Sequence, residues 1–201
     1  MMYEYLKKLK ADNGFIPARI LDIGAWNGFW TNNVKPIWPD ANYTCIEAGP
    51  KHERRLKEVT SDYHIAVLGD SNREIKMYLR EIDKGNRKKV TYTKGSTVFG
   101  IFKDFELRQM QTLDELVGED AQFDLIKQDV QGAEIMVMNG APEIFKRAKY
   151  VVQEVNIHKD EQFPDMPSEK EMDAYMLELG FNNNEVIEQK ENVEQIDKIY
   201  F

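Results

Sequence analysis

One stretch restricts the fold more than any other: Arg19-Ile20-Leu21-Asp22-Ile23-Gly24-Ala25-Trp26-Asn27-Gly28-Phe29-Trp30. An apolar run stopped by an acid and then by two spaced glycines reads as a strand that ends in a tight loop and re-enters as a helix. Strand, glycine loop and helix open a βαβ unit, and such units build a parallel sheet covered by helices on both faces. In an open sheet of that kind the ligand lies beyond the carboxyl ends of the strands, so residues 24–28 are where it is met.

The rest of the chain keeps the alternation. Residues 3–10 form a short amphipathic helix within an N-terminal helical extension, 1–15. A helix is expected over 29–37, a second strand ending in an acid over 43–50, and a helix after Pro50 with Leu56 and Val59 inside. "IAVLGD", 65–70, is the third strand. From 74 to 93 the text alternates apolar and polar residues around "DKGNR", which predicts an inserted β-hairpin. Thr112-Leu113-Asp114-Glu115 has capping-box spacing and opens a short helix. Strands follow at 123–130 and 150–157, the latter with Val151, Val152 and Val155, with helices at 133–138 and at 168–179 before Gly180. The tail "DKIYF" is a final antiparallel strand. The expected fold class is α/β, one Rossmann-like, mostly parallel sheet in a single domain over 1–201.

Composition narrows the function. A chain of 201 residues supports one sizeable core. A formal net charge of -8 repels phosphate backbones, so a nucleic-acid acceptor is disfavoured. Cys45 is the single cysteine, which excludes an internal disulfide and a thiolate zinc site. No long uncharged apolar stretch is present and the N-terminus lacks a signal-peptide core, so a cytoplasmic chain away from membranes is expected.

The loop does not fit a dinucleotide, because Trp26 and Phe29 stand where G-x-G-x-x-G needs glycine. Asp22 points instead to a cationic group. Its D-x-G-x-x-x-G setting resembles the S-adenosylmethionine loop of class I methyltransferases, in which Glu47, at the end of the second strand, has the chemistry to accept both ribose hydroxyls. Asp22 as a helix cap and Glu47 as a solvated strand end are the plainer alternatives. Asp70 is either an acceptor for the adenine amine or a turn aspartate.

"DLIKQDVQGAEIMVMNGA", 124–141, is the most specific text in the chain. With "ILDIGAWNGFWT", "CIEAGPKHERRL" and "TLDEL" it resembles the FkbM-like methyltransferases over roughly residues 19–155. The resemblance implies a cofactor set of Asp22, Gly24, Ala25, Gly28, Glu47 and Ala48, with Asp70 beside it. It places Lys127, Asp129, Gly132 and Glu134 at the reacting centre and Glu154 on the next strand. Three positions depart from the family pattern: Trp26 for a frequent Asn, Gln128 for an apolar residue, and Gln131 for Glu. A hydroxyl acceptor must lose a proton, and Asp129 is the first candidate to take or orient it, with Glu154 and His158 behind. Residues two apart on a strand share a face, so Lys127 can pair with Asp129 and keep it ionised. Against this stand the plainer readings: Lys127 snorkelling at the sheet surface, Glu134 in a helix dipole, and His158 as a lone loop histidine. A magnesium ion held by Asp129, Glu134 and Glu154 is an open option. Trp26, Trp30 and Trp38 either stack on a ring of the ligand or pack the core. The expected activity is methyl transfer from S-adenosylmethionine to a hydroxyl of a small molecule or glycan, such as a sugar or polyketide. The alternatives are a catalytically silent cofactor-binding module and an RNA 2′-hydroxyl methyltransferase, the latter through partial similarity of the Lys127, Asp129, Glu154 set and the basic run at 84–89. Oligomeric state is left open by the sequence.

Overall fold

The protein is described by a computed structural model covering residues 2–82, 90–99, 104–158, 165–189 and 195–201. It opens with α1 (Met2–Asn13), then β1 (Arg19–Ile23), α2 (Phe29–Val34) and β2 (Asn42–Glu47). A single 3-10 turn leads into α3 (Glu53–Val59), followed by β3 (Asp62–Ile65), β4 (Val67–Leu68), β5 (Arg73–Ile82), β6 (Val90–Thr97) and β7 (Phe105–Gln111). The second half runs α4 (Leu113–Val117), β8 (Leu125–Gln128), α5 (Glu134–Asn139), α6 (Pro142–Lys146), β9 (Tyr150–Asn156), α7 (Glu169–Glu178), β10 (Asn184–Gln189) and β11 (Gln195–Tyr200).

Seven strands make the main sheet in the order β10-β11-β9-β8-β1-β2-β3. β9, β8, β1, β2 and β3 run parallel, and β11 is antiparallel to both β9 and β10. The central strands are buried on both faces, which is why Ile20 to Ile23 and Leu125 to Gln128 lack polar alternation. On one face Leu6, Leu9, Trp30, Val34 and Trp38 from the α1–α2 side pack on Ile20, Leu125 and Val152. On the other, Val137, Phe145 and Met176 of α5, α6 and α7 pack on Leu21, Ile126 and Val151. Ser168 caps α7 in a reciprocal capping box with Glu171.

Several expectations change here. The insertion is larger than a hairpin: β4, β7, β5 and β6 form a second, four-stranded sheet in that order. The hairpin strands themselves are present, and its basic tip at 84–89 lies outside the described residues. The third strand of the main sheet is β3, not the apolar run that follows it. β3 is an edge strand with no fully buried residue, so its text is polar, and the apolar Val67-Leu68 pairs with β7 in the second sheet. α2 ends at Val34 rather than 37, since Pro36 cannot donate to the carbonyl of Asn32. Thr112 does precede α4, but its side chain makes no cap bond.

Candidate active site

Register decides which side chains meet. β8 sets Lys127 beside Asp22, β2 sets Cys45 beside Asp22, and β9 sets Val152 beside Lys127. Neighbours in register share a face, and so do residues two apart on a strand. Glu47, Asp22, Lys127, Asp129 and Glu154 therefore stand on one face, near the carboxyl ends of β2, β1, β8 and β9.

They form one polar chain. Thr31 of α2 donates its hydroxyl to Asp22 Oδ2 at 2.7 Å, and Asp22 Oδ1 lies 3.3 Å from the Lys127 ammonium. That ammonium donates to the Gly24 carbonyl at 3.1 Å and sits 3.7 Å from Asp129 Oδ2. Gln131 then gives its amide to Asp129 Oδ1 at 2.7 Å and to Glu154 Oε2 at 2.8 Å. Burial opposes a charge on Lys127, but Asp22 and Asp129, with Glu154 further off, outweigh it and hold the ammonium well above its ordinary range. Lys127 is thus buried within the site, not snorkelling at its surface.

The loops that end β1 and β8 are welded together. Asp129 donates its backbone N–H to the Ile23 carbonyl at 3.0 Å, and a Cβ on Gly24 would lie 1.8 Å from the Asp129 carbonyl oxygen. With φ at 74°, only glycine fits position 24. Ala25 follows, buried, its N–H on the Ile46 carbonyl; Gly28 turns the chain into α2. Among the described residues, the two non-glycine residues with left-handed backbone are Trp26 (φ 51°) and Gln131 (φ 57°), one in each of these loops. Backbone strain of this kind gathers at binding sites.

Glu47 is oriented from above. Its Oε2 accepts from the Trp26 N–H at 2.8 Å and its Oε1 from the Gly49 N–H at 2.7 Å. Burial pushes its carboxyl up and those two N–H groups pull it back part of the way. Each oxygen retains a lone pair for a hydroxyl. The neighbouring Ala48 carbonyl is occupied by Arg108 at 2.8 Å.

Other expected site residues lie elsewhere. Glu134 is 2% exposed and turns into its own loop, where Oε1 accepts from the N–H groups of Val130 at 3.0 Å and Gly132 at 3.2 Å. It shapes the loop. Burial raises its carboxyl to about 7, against the pull of those N–H groups. Asp70 is exposed at the end of β4, where burial alone would raise its carboxyl but hydrogen bonds from Arg73 and Ser71 bring it below its ordinary value. His158 is exposed just beyond β9. Trp30 and Trp38 are core residues, their indole N–H groups spent on Met2 Sδ and the Phe15 carbonyl. Trp26 stands edge-on to His52 with centroids 6.0 Å apart. Among the described residues no group of three His, Cys, Asp or Glu side chains could hold a metal ion, since Glu134 faces away from Asp129 and Glu154. Sequence reasoning missed Thr31 and the bridging role of Gln131. It also missed Asp197, which β11 sets in register with Glu154.

A cavity of about 390 Å³ is lined by Gly132, the residue after Gln131, and by Asp70, Phe99, Met136, Asp165 and Pro167; it takes in Asp70 of the expected site, while Asp22, Glu47, Lys127, Asp129 and Glu154 do not line it. A second, of about 490 Å³, lies around Phe15, Ile16 and Tyr150, at the start of β9 and away from the carboxyl ends of the strands. The donor set fits a cationic cofactor with ribose hydroxyls. Asp22, Glu47, Asp129 and Glu154 formally oppose one lysine, which is already engaged, so a phosphate would meet no vacant cation among these groups.

A family model, the methyltransferase FkbM domain, matches residues 22–182. A search of curated proteins finds no match. Among solved structures, the methyltransferase FkbM from Methylobacillus flagellatus superposes with a TM-score of 0.63 at 12% identity, over 98% of this chain and 48% of that one. EvdMO1 gives 0.53 at 12% identity, over 98% and 40%. The plantazolicin methyltransferase BpumL, solved with S-adenosylhomocysteine, gives 0.50 at 9% identity, over 99% and 81%. The chain thus spans less than half the length of the first two.

Proposed function

This chain belongs to the FkbM methyltransferase family, and from that premise we propose that it moves a methyl group from S-adenosylmethionine to a hydroxyl oxygen of a small molecule or glycan. The observation that carries the reading is the pair Asp129 and Glu154, held together at the carboxyl ends of β8 and β9 by the Gln131 amide, with a cavity of about 390 Å³ that begins at the next residue, Gly132. Pockets of ~300–1,000 Å³ suit small molecules. The cofactor supplies a methyl group on a sulfonium, ready for in-line displacement.

The chain's own residues do the rest. Glu47 accepts the ribose hydroxyls, while Gly24, whose missing Cβ leaves room for the Asp129 carbonyl rather than for a ligand, locks the β1 loop against the β8 loop beneath the cofactor. Asp22 acts through Lys127, since at 1% exposure it is covered by the loop above it. Asp129 accepts the proton of the acceptor hydroxyl while Lys127 and Gln131 hold its carboxylate in place; Glu154 steadies the far side of the same amide. Holding the oxygen at near-attack distance, ~3–3.5 Å, is the larger part of the work.

Calorimetry with S-adenosylmethionine and S-adenosylhomocysteine tests the cofactor. Binding with Kd near ~1 µM is expected, and Glu47→Ala weakens it ~10–100-fold through the loss of hydrogen bonds to a charged group worth ~1.5–3 kcal/mol. With an acceptor found by screening sugars and polyketides, Asp129→Asn lowers kcat by ~10²–10⁴ and leaves cofactor affinity unchanged. A wild-type chain that binds neither cofactor form overturns the reading.

A further inference from the structure

Asp129 and Glu154 have one donor in common, besides the Lys127 ammonium that lies 3.7 Å from Asp129. Two carboxylates brought this close repel, and they are held either by a cation ligated to both or by a group that gives a proton to each. Gln131 is of the second kind: one amide nitrogen, Nε2, lies 2.7 Å from Asp129 Oδ1 and 2.8 Å from Glu154 Oε2. The loop is built to keep it there. The Gln131 carbonyl accepts from the Thr97 hydroxyl at 2.8 Å, and the next N–H, of Gly132, is fixed by Glu134 at 3.2 Å. Gln131 also keeps φ at 57°, a left-handed backbone state that residues with a side chain seldom adopt.

We propose that the Gln131 amide occupies the place of a divalent cation between Asp129 and Glu154, so that residue 131 sets the metal independence of the site. The inference deepens the proposed methyl transfer and rests on it for the meaning of the carboxylate pair. The amide delivers two hydrogens where a cation would deliver charge, and it does so without binding anything from solution. Putting a carboxylate at 131 removes the donor and adds a third oxygen ligand, which makes a cation site. With the amide removed, a cation in its place would meet the two oxygens at the present 2.7 and 2.8 Å, nearer to calcium–oxygen distances, ~2.3–2.6 Å, than to magnesium–oxygen distances, ~2.0–2.1 Å, so calcium needs the smaller adjustment.

The test titrates the full chain with calcium chloride and magnesium chloride, at ionic strength matched by sodium chloride, and follows heat and thermal unfolding. Wild type, Gln131→Glu and Gln131→Ala are compared, each with and without S-adenosylhomocysteine. Wild type is expected to show no divalent response beyond the sodium control. Gln131→Glu is expected to bind calcium at least ~tenfold more tightly than wild type, to rise in Tm as calcium is added, and to prefer calcium to magnesium. Gln131→Ala, which carries no added charge, is expected to gain a weaker calcium response because the amide that bridges its two carboxylates is gone and its place is open to a cation. It decides the matter if Gln131→Glu does not fold. Calcium binding by wild type as tight as by either variant, or no response in either, overturns the proposal. The cofactor arm is separate: failure of wild type to bind S-adenosylhomocysteine sinks the methyltransferase reading, whatever the cations do.

Discussion

At the scale of single residues, the site is governed by one buried ammonium. Lys127 holds Asp22 and Asp129 apart from each other's charge, and removing it leaves Asp22, 1% exposed, with a buried charge and only the Thr31 hydroxyl. Lys127→Met is expected to cost ~3–5 kcal/mol in urea unfolding. Glu134 gives a pH signature of its own. Burial pushes its folded carboxyl up to about 7 from an ordinary 4.5, so between these the unfolded chain has lost a proton that the folded chain keeps. The contribution of this group to stability therefore falls as pH rises through that window and is flat above it. Glu134→Gln keeps an acceptor oxygen for Val130 and Gly132. Relative to wild type it is expected to gain on the order of 3 kcal/mol between about pH 5 and about pH 8, read from unfolding curves at both. How much of this was legible in sequence depends on the range of the interaction. Asp22, Glu47 and Asp129 are readable because each is tied to a strand end a few residues away. Gln131 reads only as a missing charge, since its two partners become neighbours through the pairing of β8 with β9.

At the scale of elements, polarity hides inside apolar layers. Gln153 of β9 is fully buried against α5 and α7, its amide nitrogen faces only the sulfurs of Met138 and Met176, and its Oε1 has no hydrogen-bond partner among the described residues. Gln153→Met replaces it by an apolar side chain of similar length. The exchange is expected to stabilise by ~1–3 kcal/mol, measured as a higher denaturation midpoint with unchanged cofactor binding. Gln128, its neighbour in register, differs: its amide nitrogen donates to the Glu134 carbonyl at 3.0 Å and so holds the start of α5. The elements themselves were legible where burial on both faces gathers apolar residues into a short run, as in β1, β8 and β9. They were not where it does not: β3 is a half-exposed edge, and β4 is two residues long. β7 carries Phe105 and Leu107 on its exposed side, which blurs the alternation that would have marked a second sheet.

At the scale of the whole molecule, charge bears on the acceptor class proposed above. Asp and Glu number 35 against 27 Lys and Arg, and the site itself adds carboxylates rather than cations. A polyphosphate acceptor is repelled by both. Short RNA is expected neither to displace S-adenosylhomocysteine nor to bind more tightly than ~100 µM at physiological salt, measured by fluorescence anisotropy. A titration reaching micromolar affinity would reverse the assignment of acceptor class. No helix among the described residues is long and apolar enough to cross a membrane.

The strand order carries a consequence for synthesis on the ribosome. β11, late in the chain, lies between β9 and β10. Until residues 195–200 have emerged, the outer edge of β9 offers its unpaired backbone groups, and β10 cannot cover them because its place is one strand further out. The strand that bears Glu154 is therefore the last of the parallel strands to be closed in, and Asp197 arrives beside Glu154 in the same step. A nascent chain halted between β9 and β11 presents a valine-rich edge to its neighbours, so a pause in synthesis over that interval favours aggregation over closure of the sheet.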